Sequence, residues 1–239
     1  MPGIEYDQLI RLEQLADRVS VNLEGSTQER LNALAPKKGF QREWLSMVQL
    51  AEEIRRTHPY EKLAGTVTQF VVGAVGGTDR GLLSLGHRLY RQYGLTRAYY
   101  SGFGPVIQTP FENLPATDPL CEHRLYQASF LLRDYSWKVE DLAFLSDGKL
   151  GLVLDPKRAW VERHLRKAPI EAMTASRQQL VRRPGIGPMG ADAILRARRL
   201  GRLPALSHLR QLNIRAPEQA APYILLDGHR PAIQMTLFS

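Results

Sequence analysis

The chain has 239 residues, a formal charge of +8, 44% hydrophobic residues and one cysteine, values of a globular protein long enough for one or two cores. No window approaches the ~18 uninterrupted apolar residues of a membrane span, and the N-terminus lacks the basic start and apolar run of a signal peptide. The single cysteine, Cys121, excludes an internal disulfide and suits a cytoplasmic protein.

Ile4, Leu9, Leu12 and Leu15 recur near helical spacing, so residues 4–17 read as a helix. The alternating stretch RVSVNLEG reads as a strand ending at Glu24. Residues 42–58 read as a helix, 65–77 as an apolar strand running into glycines, DRGLLSLGHRLYRQYG as a helix closed by Gly94, and 96–106 as a third strand. Strand, helix, strand, helix, strand is the pattern of a parallel sheet. Ligands of such sheets lie beyond the C-terminal strand ends. Those ends carry Asn22 and Glu24, then Gly73, Gly76 and Gly77, then Ser101 and Gly102. The glycines permit either a close backbone approach or a tight turn, and spacing alone favours the turn. A proline-rich connector spans 107–118. The helix PLCEHRLYQASFLLRDY follows, with Glu122 and Tyr126 one turn apart in core and surface roles, and then a run of short helices to about residue 222. A domain boundary is expected between 150 and 170.

Charge is placed unevenly. Residues 156–215 hold fourteen basic and three acidic residues, a local +11, while the preceding part is near neutral. That asymmetry points to a nucleic-acid-binding end, or to a solvated basic surface. Within it lies RRPGIGPMGADAILRARR, residues 182–199. Gly185 and Gly187 permit positive φ and bare one face of the turn. Pro188 suits the first helical position. The amides that follow, through Met189 and Gly190, are free at a helix start and point along a favourable dipole, which can hold an anion by backbone alone. A nucleic-acid phosphate is the expected anion, with Arg198 adding charge.

Leu180, Pro184-Gly185-Ile186-Gly187, Ala191 and Ile194 together resemble the helix-hairpin-helix motif of DNA repair and recombination proteins. The lead-in MTASRQQL resembles that motif too, with Met173 departing from the usual asparagine in a way expected to weaken the cap of the first helix. The resemblance implies that the turn binds DNA backbone without reading sequence, as phosphate contacts do. A downstream segment, LSHLRQLNIRAPEQAAPYI, looks like a degenerate second hairpin and is expected to be a packing partner.

The segments ADRVSVNLEGST, TQFVVGAVGGTDR, RAYYSGFGPV and EHRLYQASFLLRDY resemble the C-terminal half of a radical SAM barrel, of the kind found in DNA modification or repair proteins that end in a helix-hairpin-helix region. The resemblance runs from residue 3 to the C-terminus. It implies S-adenosylmethionine and a [4Fe–4S] cluster as family cofactors. Asn22 and Glu24 would meet the ribose and methionine parts of the former, and Val72, Gly73, Ala74 and Gly76 would lie near its adenine. The family holds its cluster with a C-x3-C-x2-C loop, and cluster iron needs thiolates. With Cys121 alone, the chain is expected to bind no iron and to be inactive by itself. Met1 stands at an internal position of the family, as in a shortened or split product: either a separate chain supplies the missing half, or the chain persists as a stand-alone, non-catalytic DNA-binding module.

The fold expected is therefore α/β: a partial parallel βα barrel of about three strands over 1–118, a helical connector over 119–165, an all-α helix-hairpin-helix region over 166–230, and a tail over 231–239. Three strands leave an open parallel edge, an aggregation liability. The six histidines lack zinc spacing, and Gly73–Gly77 lacks the Gly-Lys-Ser/Thr of a P-loop. In the tail, Gln234, Met235, Leu237 and Phe238 resemble the short peptide by which bacterial proteins hold the polymerase sliding clamp, which makes that clamp an expected partner beside DNA. The same side chains could equally form a tail strand packed on its own domain.

Overall fold

Parallel strands need crossovers, and the sequence supplies them as amphipathic helices. A computed structural model describes residues 4–36, 44, 46–164 and 169–232. It separates into two units: residues 1–133 with 138–140 and 144–153, and residues 134–137 with 141–143 and 154–239. The connector expected over 119–165 is thus not a unit of its own, because its first helix belongs to the first unit and its last to the second. Residues Gln234, Met235, Leu237 and Phe238 of the clamp-like tail lie outside the described residues. Among the described residues no helix is long and apolar enough to cross a membrane.

The first unit is mixed α/β. It opens with α1 (Tyr6–Leu15), β1 (Arg18–Ser20), α2 (Gln28–Leu34) and α3 (Ser46–Thr57), followed by β2 (Gly65–Val72), α4 (Asp79–Gln92), β3 (Arg97–Gly102) and α5 (Pro119–Asp134). The three strands form one parallel sheet in the order β1-β2-β3, with Val19 opposite Thr66 and Val67 opposite Arg97. The ladder continues past β1 to Glu24, whose amide donates to Gln69 O at 2.9 Å and whose carbonyl accepts from Val71 at 2.8 Å. The strand itself ends at Ser20, four residues short of the expected Glu24, which returns to the sheet only as an isolated bridge to Phe70 with φ +58°. Helix α2 had no sequence expectation. It is a two-turn helix started by Thr27, whose Oγ1 accepts from the Arg30 amide at 3.3 Å. Helix α4 starts the same way, on Thr78, and buries Leu82, Leu83, Leu85 and Leu89. Each such side chain taken from water contributes about 1.5–3 kcal/mol.

The sheet is open, with β3 at one edge as expected, but the outward amides of that edge are occupied. The outward amides of β3 donate to side chains: Ala98 to Tyr90 Oη at 3.1 Å, Tyr100 to Tyr126 Oη at 3.1 Å, and Gly102 to Glu122 Oε2 at 2.9 Å. Glu122 and Tyr126 sit one turn apart on α5 because alternate β3 amides on one edge need acceptors at that spacing. A strand edge so occupied offers no template for another chain.

The second unit contains α6 (Pro156–His164), β4 (Ile170–Glu171), α7 (Arg177–Val181), α8 (Pro188–Ala197), α9 (Leu206–Gln211), 3₁₀ turns at Pro217–Gln219 and Ala221–Tyr223, and β5 (Ile224–Leu225). It is not all-α: β4 and β5 pair in parallel, Ile170 opposite Ile224. Its core gathers Leu180, Ile186, Ala191, Ile194, Leu209, Ile214 and Ile224, each nearly or fully buried.

Candidate functional site

The turn 182–187 joins α7 to α8, and its chemistry follows from which atoms the fold leaves open. Helix α7 begins with a reciprocal capping box. Ser176 Oγ accepts from the Gln179 amide at 3.2 Å, and Gln179 Oε1 accepts from the Ser176 amide at 2.8 Å. The cap residue is thus Ser176, three positions beyond Met173, and the departure at Met173 costs the helix no cap. Arg177 clamps the two helices through a bidentate pair with Asp192, at 2.6 and 3.1 Å.

The two turn glycines serve different needs. Gly185 has φ +74°, and a Cβ there would collide with the carbonyl oxygen of Ala216. Gly187, the N-cap of α8, has φ −97°, which any residue adopts, and a Cβ there would make a tight contact, 3.1 Å, with the Tyr135 hydroxyl. The degenerate second hairpin packs beneath the first, with Ala216 under Gly185 and Ile214 against Gly190. Pro184 is buried and Ile186 is fully so. Ile186 therefore offers its backbone only, and its carbonyl accepts from Lys157 Nζ at 2.7 Å. Pro188 takes the first helical position, and Met189 beside it is 86% exposed. The amides of Gly185, Gly187, Met189 and Gly190 have no hydrogen-bond partner among the described residues. Together they make a cluster of open donors at the start of a ten-residue helix.

Burial beneath this turn lowers the Lys157 ammonium from 10.5 to about 7, with Arg183 pushing the same way and Asp155 opposing. Its Nζ also lies 4.9 Å over the Tyr135 ring. Arg183 is itself 3% exposed, bonded to Tyr223 O at 3.2 Å and lowered to about 10 by burial.

The +11 stretch is far from a uniformly free surface. Arg198, expected to meet phosphate, is half-buried and donates Nη1 to the carbonyls of Ala175 at 2.7 Å and Ala172 at 3.2 Å. Arg182 is held by Asp141, Arg202 by Asp227, Arg210 by Glu218 and Arg158 by Asp155. Of these acids, Asp141, Glu218 and Asp227 lie outside the stretch and fold back onto it, whereas Asp155 pairs locally with Arg158, three residues on. Arg166 and Lys167 lie outside the described residues. Arg163, Arg196, Arg199 and Arg215 are exposed and make no ion pair or hydrogen bond among the described residues, although the charge of Arg196 acts on Asp192. Among the described residues of the stretch, these four are the cations most open to a polyanion.

In the first unit, a cavity of about 370 Å³ opens at the C-terminal end of β2. Val72 and Gly73 line it with Asp79, Thr117, Cys121 and Lys149. Burial raises the Asp79 carboxyl, against the pull of the Leu150 amide that donates to it at 2.8 Å and of Lys149. Cys121 is raised by burial and then by Asp79 and Asp118, which keeps it a thiol. Of the six residues expected around a cofactor, only Val72 and Gly73 reach this cavity. Asn22 accepts from Ser20 Oγ at 2.6 Å, Glu24 turns at φ +58°, Ala74 is buried, and Gly76 gives its carbonyl to Arg30 at 3.2 Å. Gly73 has φ +91° and its bare face is filled by the Thr117 hydroxyl, so here the tight turn is the role observed. Asp79, Thr117 and Lys149 were missed by sequence reasoning; the one signal available was Thr78-Asp79 opening a helix directly after the glycines. A [4Fe–4S] cluster does not fit this donor set, since one neutral thiol cannot stand for three thiolates, and no group of three or more His, Cys, Asp or Glu among the described residues could hold a metal ion. Comparison with known proteins found no matching family model, no matching curated protein and no matching solved structure.

Proposed function

We propose that this chain binds the DNA backbone, without reading sequence, through the turn 184–190, and that it is the DNA-docking part of a radical SAM system for DNA modification or repair. The observation that carries the binding is the cluster of four open amides at the start of α8; among the described residues of the basic stretch, Arg163, Arg196, Arg199 and Arg215 are exposed and add positive charge to the same unit. Backbone donors and a helix dipole favour a phosphate over a neutral ligand, and phosphate contacts carry no sequence information. The wider assignment is supported by the resemblance of the parallel βα units that precede this region. Cluster thiolates would then come from outside this sequence, in a separate radical SAM half, and the clamp-like tail is proposed as a second contact, with the sliding clamp. The lone thiol favours a second reading, a DNA-binding module with no catalysis of its own.

Met189→Glu tests the binding. Met189 is exposed in the first turn of α8, where a carboxylate suits the helix dipole but repels phosphate. Titration of a labelled duplex should show affinity lowered about ten-fold or more for every sequence tried, with the melting temperature kept or raised. Removing Arg199 should reduce the salt slope by about one unit. Undiminished binding by Met189→Glu would remove the turn from the interface.

A further inference from the structure

The second unit contains a stack of planar groups that its packing does not use up. Trp160 and His164 stand at i and i+4 on α6, on one face of the helix. Their rings are stacked, 4.6 Å between centroids and 19° between planes, and His164 Nδ1 is held to Trp160 O at 2.9 Å. The Arg182 guanidinium lies 4.8 Å from the centre of the Trp160 ring and 5.1 Å from that of Trp137. Asp141 fixes the same guanidinium at 2.8 Å. Trp137 is 1% exposed and belongs to the core. Trp160 is only half-buried and His164 is exposed. The stack thus begins in the core and ends in solvent.

Its place in the chain matters. Arg182 stands two residues before Pro184, so the residue that anchors the indole also begins the amide-bearing turn. Arg163, adjacent to His164, is one of the cations left without a partner. The same helix sends Lys157 to the Ile186 carbonyl of the turn, and a flat aromatic end on a helix tied to backbone donors, with an exposed arginine next to it, is a combination that can hold a nucleic-acid strand by phosphate and by base together. Bases inside a duplex hide their faces in their own stack. Only an unpaired base can lie on an aromatic ring.

We propose that the exposed Trp160–His164 pair stacks one unpaired nucleobase, so that the chain prefers single-stranded or frayed DNA to intact duplex. The inference rests on the backbone-binding reading and adds to it the state of the DNA. The probes are an oligothymidine of about 12 nucleotides, a blunt duplex of the same length, and the single strand carrying one 2-aminopurine, whose fluorescence falls on stacking. The full-length chain should bind the single strand about ten-fold more tightly and quench the 2-aminopurine. His164→Ala should lower the ratio of single-strand to duplex affinity about ten-fold and restore fluorescence, while His164→Phe, which keeps a flat ring, should retain both. Met189→Glu should weaken the two substrates together, whatever the state of the base. Equal affinity for both substrates in the full-length chain overturns the stacking proposal and leaves the turn intact. An affinity ratio unmoved by His164→Ala, with circular dichroism unchanged, overturns it as well. Failure to bind either substrate sinks the backbone reading itself.

Discussion

Lys157 shows how one buried charge sets a pH dependence. Its ammonium is lowered to about 7 from an ordinary 10.5, chiefly by burial. Below pH 7 the folded and unfolded chains both carry the proton, and the cost of burying the charge is fully present. Between 7 and 10.5 the unfolded chain keeps a proton that the folded chain has released, so stability from this site rises with pH across that window. The neutral amine still donates to Ile186 O, so the turn keeps its support. Melting temperatures between about pH 6 and about pH 9 should climb more steeply for the natural chain than for Lys157→Met; parallel curves would show that this lysine does not titrate there. Gly185 makes a related point about position. A side chain at φ +74° against Ala216 O would disturb the fold itself, so replacing this glycine cannot report on DNA binding, and an exposed residue such as Met189 can.

At the scale of elements, the edge of β3 depends on its neighbours. Tyr90 on α4, with Glu122 and Tyr126 on α5, accepts the amides that an edge strand would otherwise present. Glu122→Ala with Tyr126→Phe leaves two part-buried amides unpaired, at about 1–3 kcal/mol each, and reopens a strand edge. Light scattering during slow heating should then detect aggregation at a lower temperature than for the natural chain. A double variant as stable and as monodisperse as the parent would mean that water satisfies those amides equally well. The spacing of Glu122 and Tyr126 was legible in the sequence, but its purpose was not, because β3 and α5 are separated by a proline-rich loop of more than a dozen residues. Helix α2 was missed for a different reason: its seven residues bury one leucine, Leu31, too few positions to show a period.

At the scale of the molecule, the two units carry different chemistry. The first has a parallel sheet with a cavity at a strand end, and the second has the open turn. The count of thiols bears on the proposed radical SAM reading, because the cluster it calls for needs thiolates that Cys121 alone does not supply. Anaerobic reconstitution of the purified chain with iron and sulfide should leave it without the visible absorption of a cluster and without cleavage of S-adenosylmethionine. About four irons per chain, retained in Cys121→Ala, would contradict this. Mixing with a chain that supplies the missing cysteines should restore both properties if the radical SAM reading holds.

The sequence by itself determined the local features. Alternation and amphipathic spacing placed the three strands of the sheet and the helices α3 and α4 between them, though not α2, and Pro184-Gly185-Ile186-Gly187 placed the turn, since glycine at φ +74° and proline at the first helical position are properties of single residues. Tertiary structure alone decided which charges remain free. Asp141, Glu218 and Asp227 lie outside the basic stretch yet pair with three of its arginines, and Arg198 is spent on two carbonyls. Composition adds charges along the chain, whereas an ion pair depends on a few ångströms between side chains that only folding brings together.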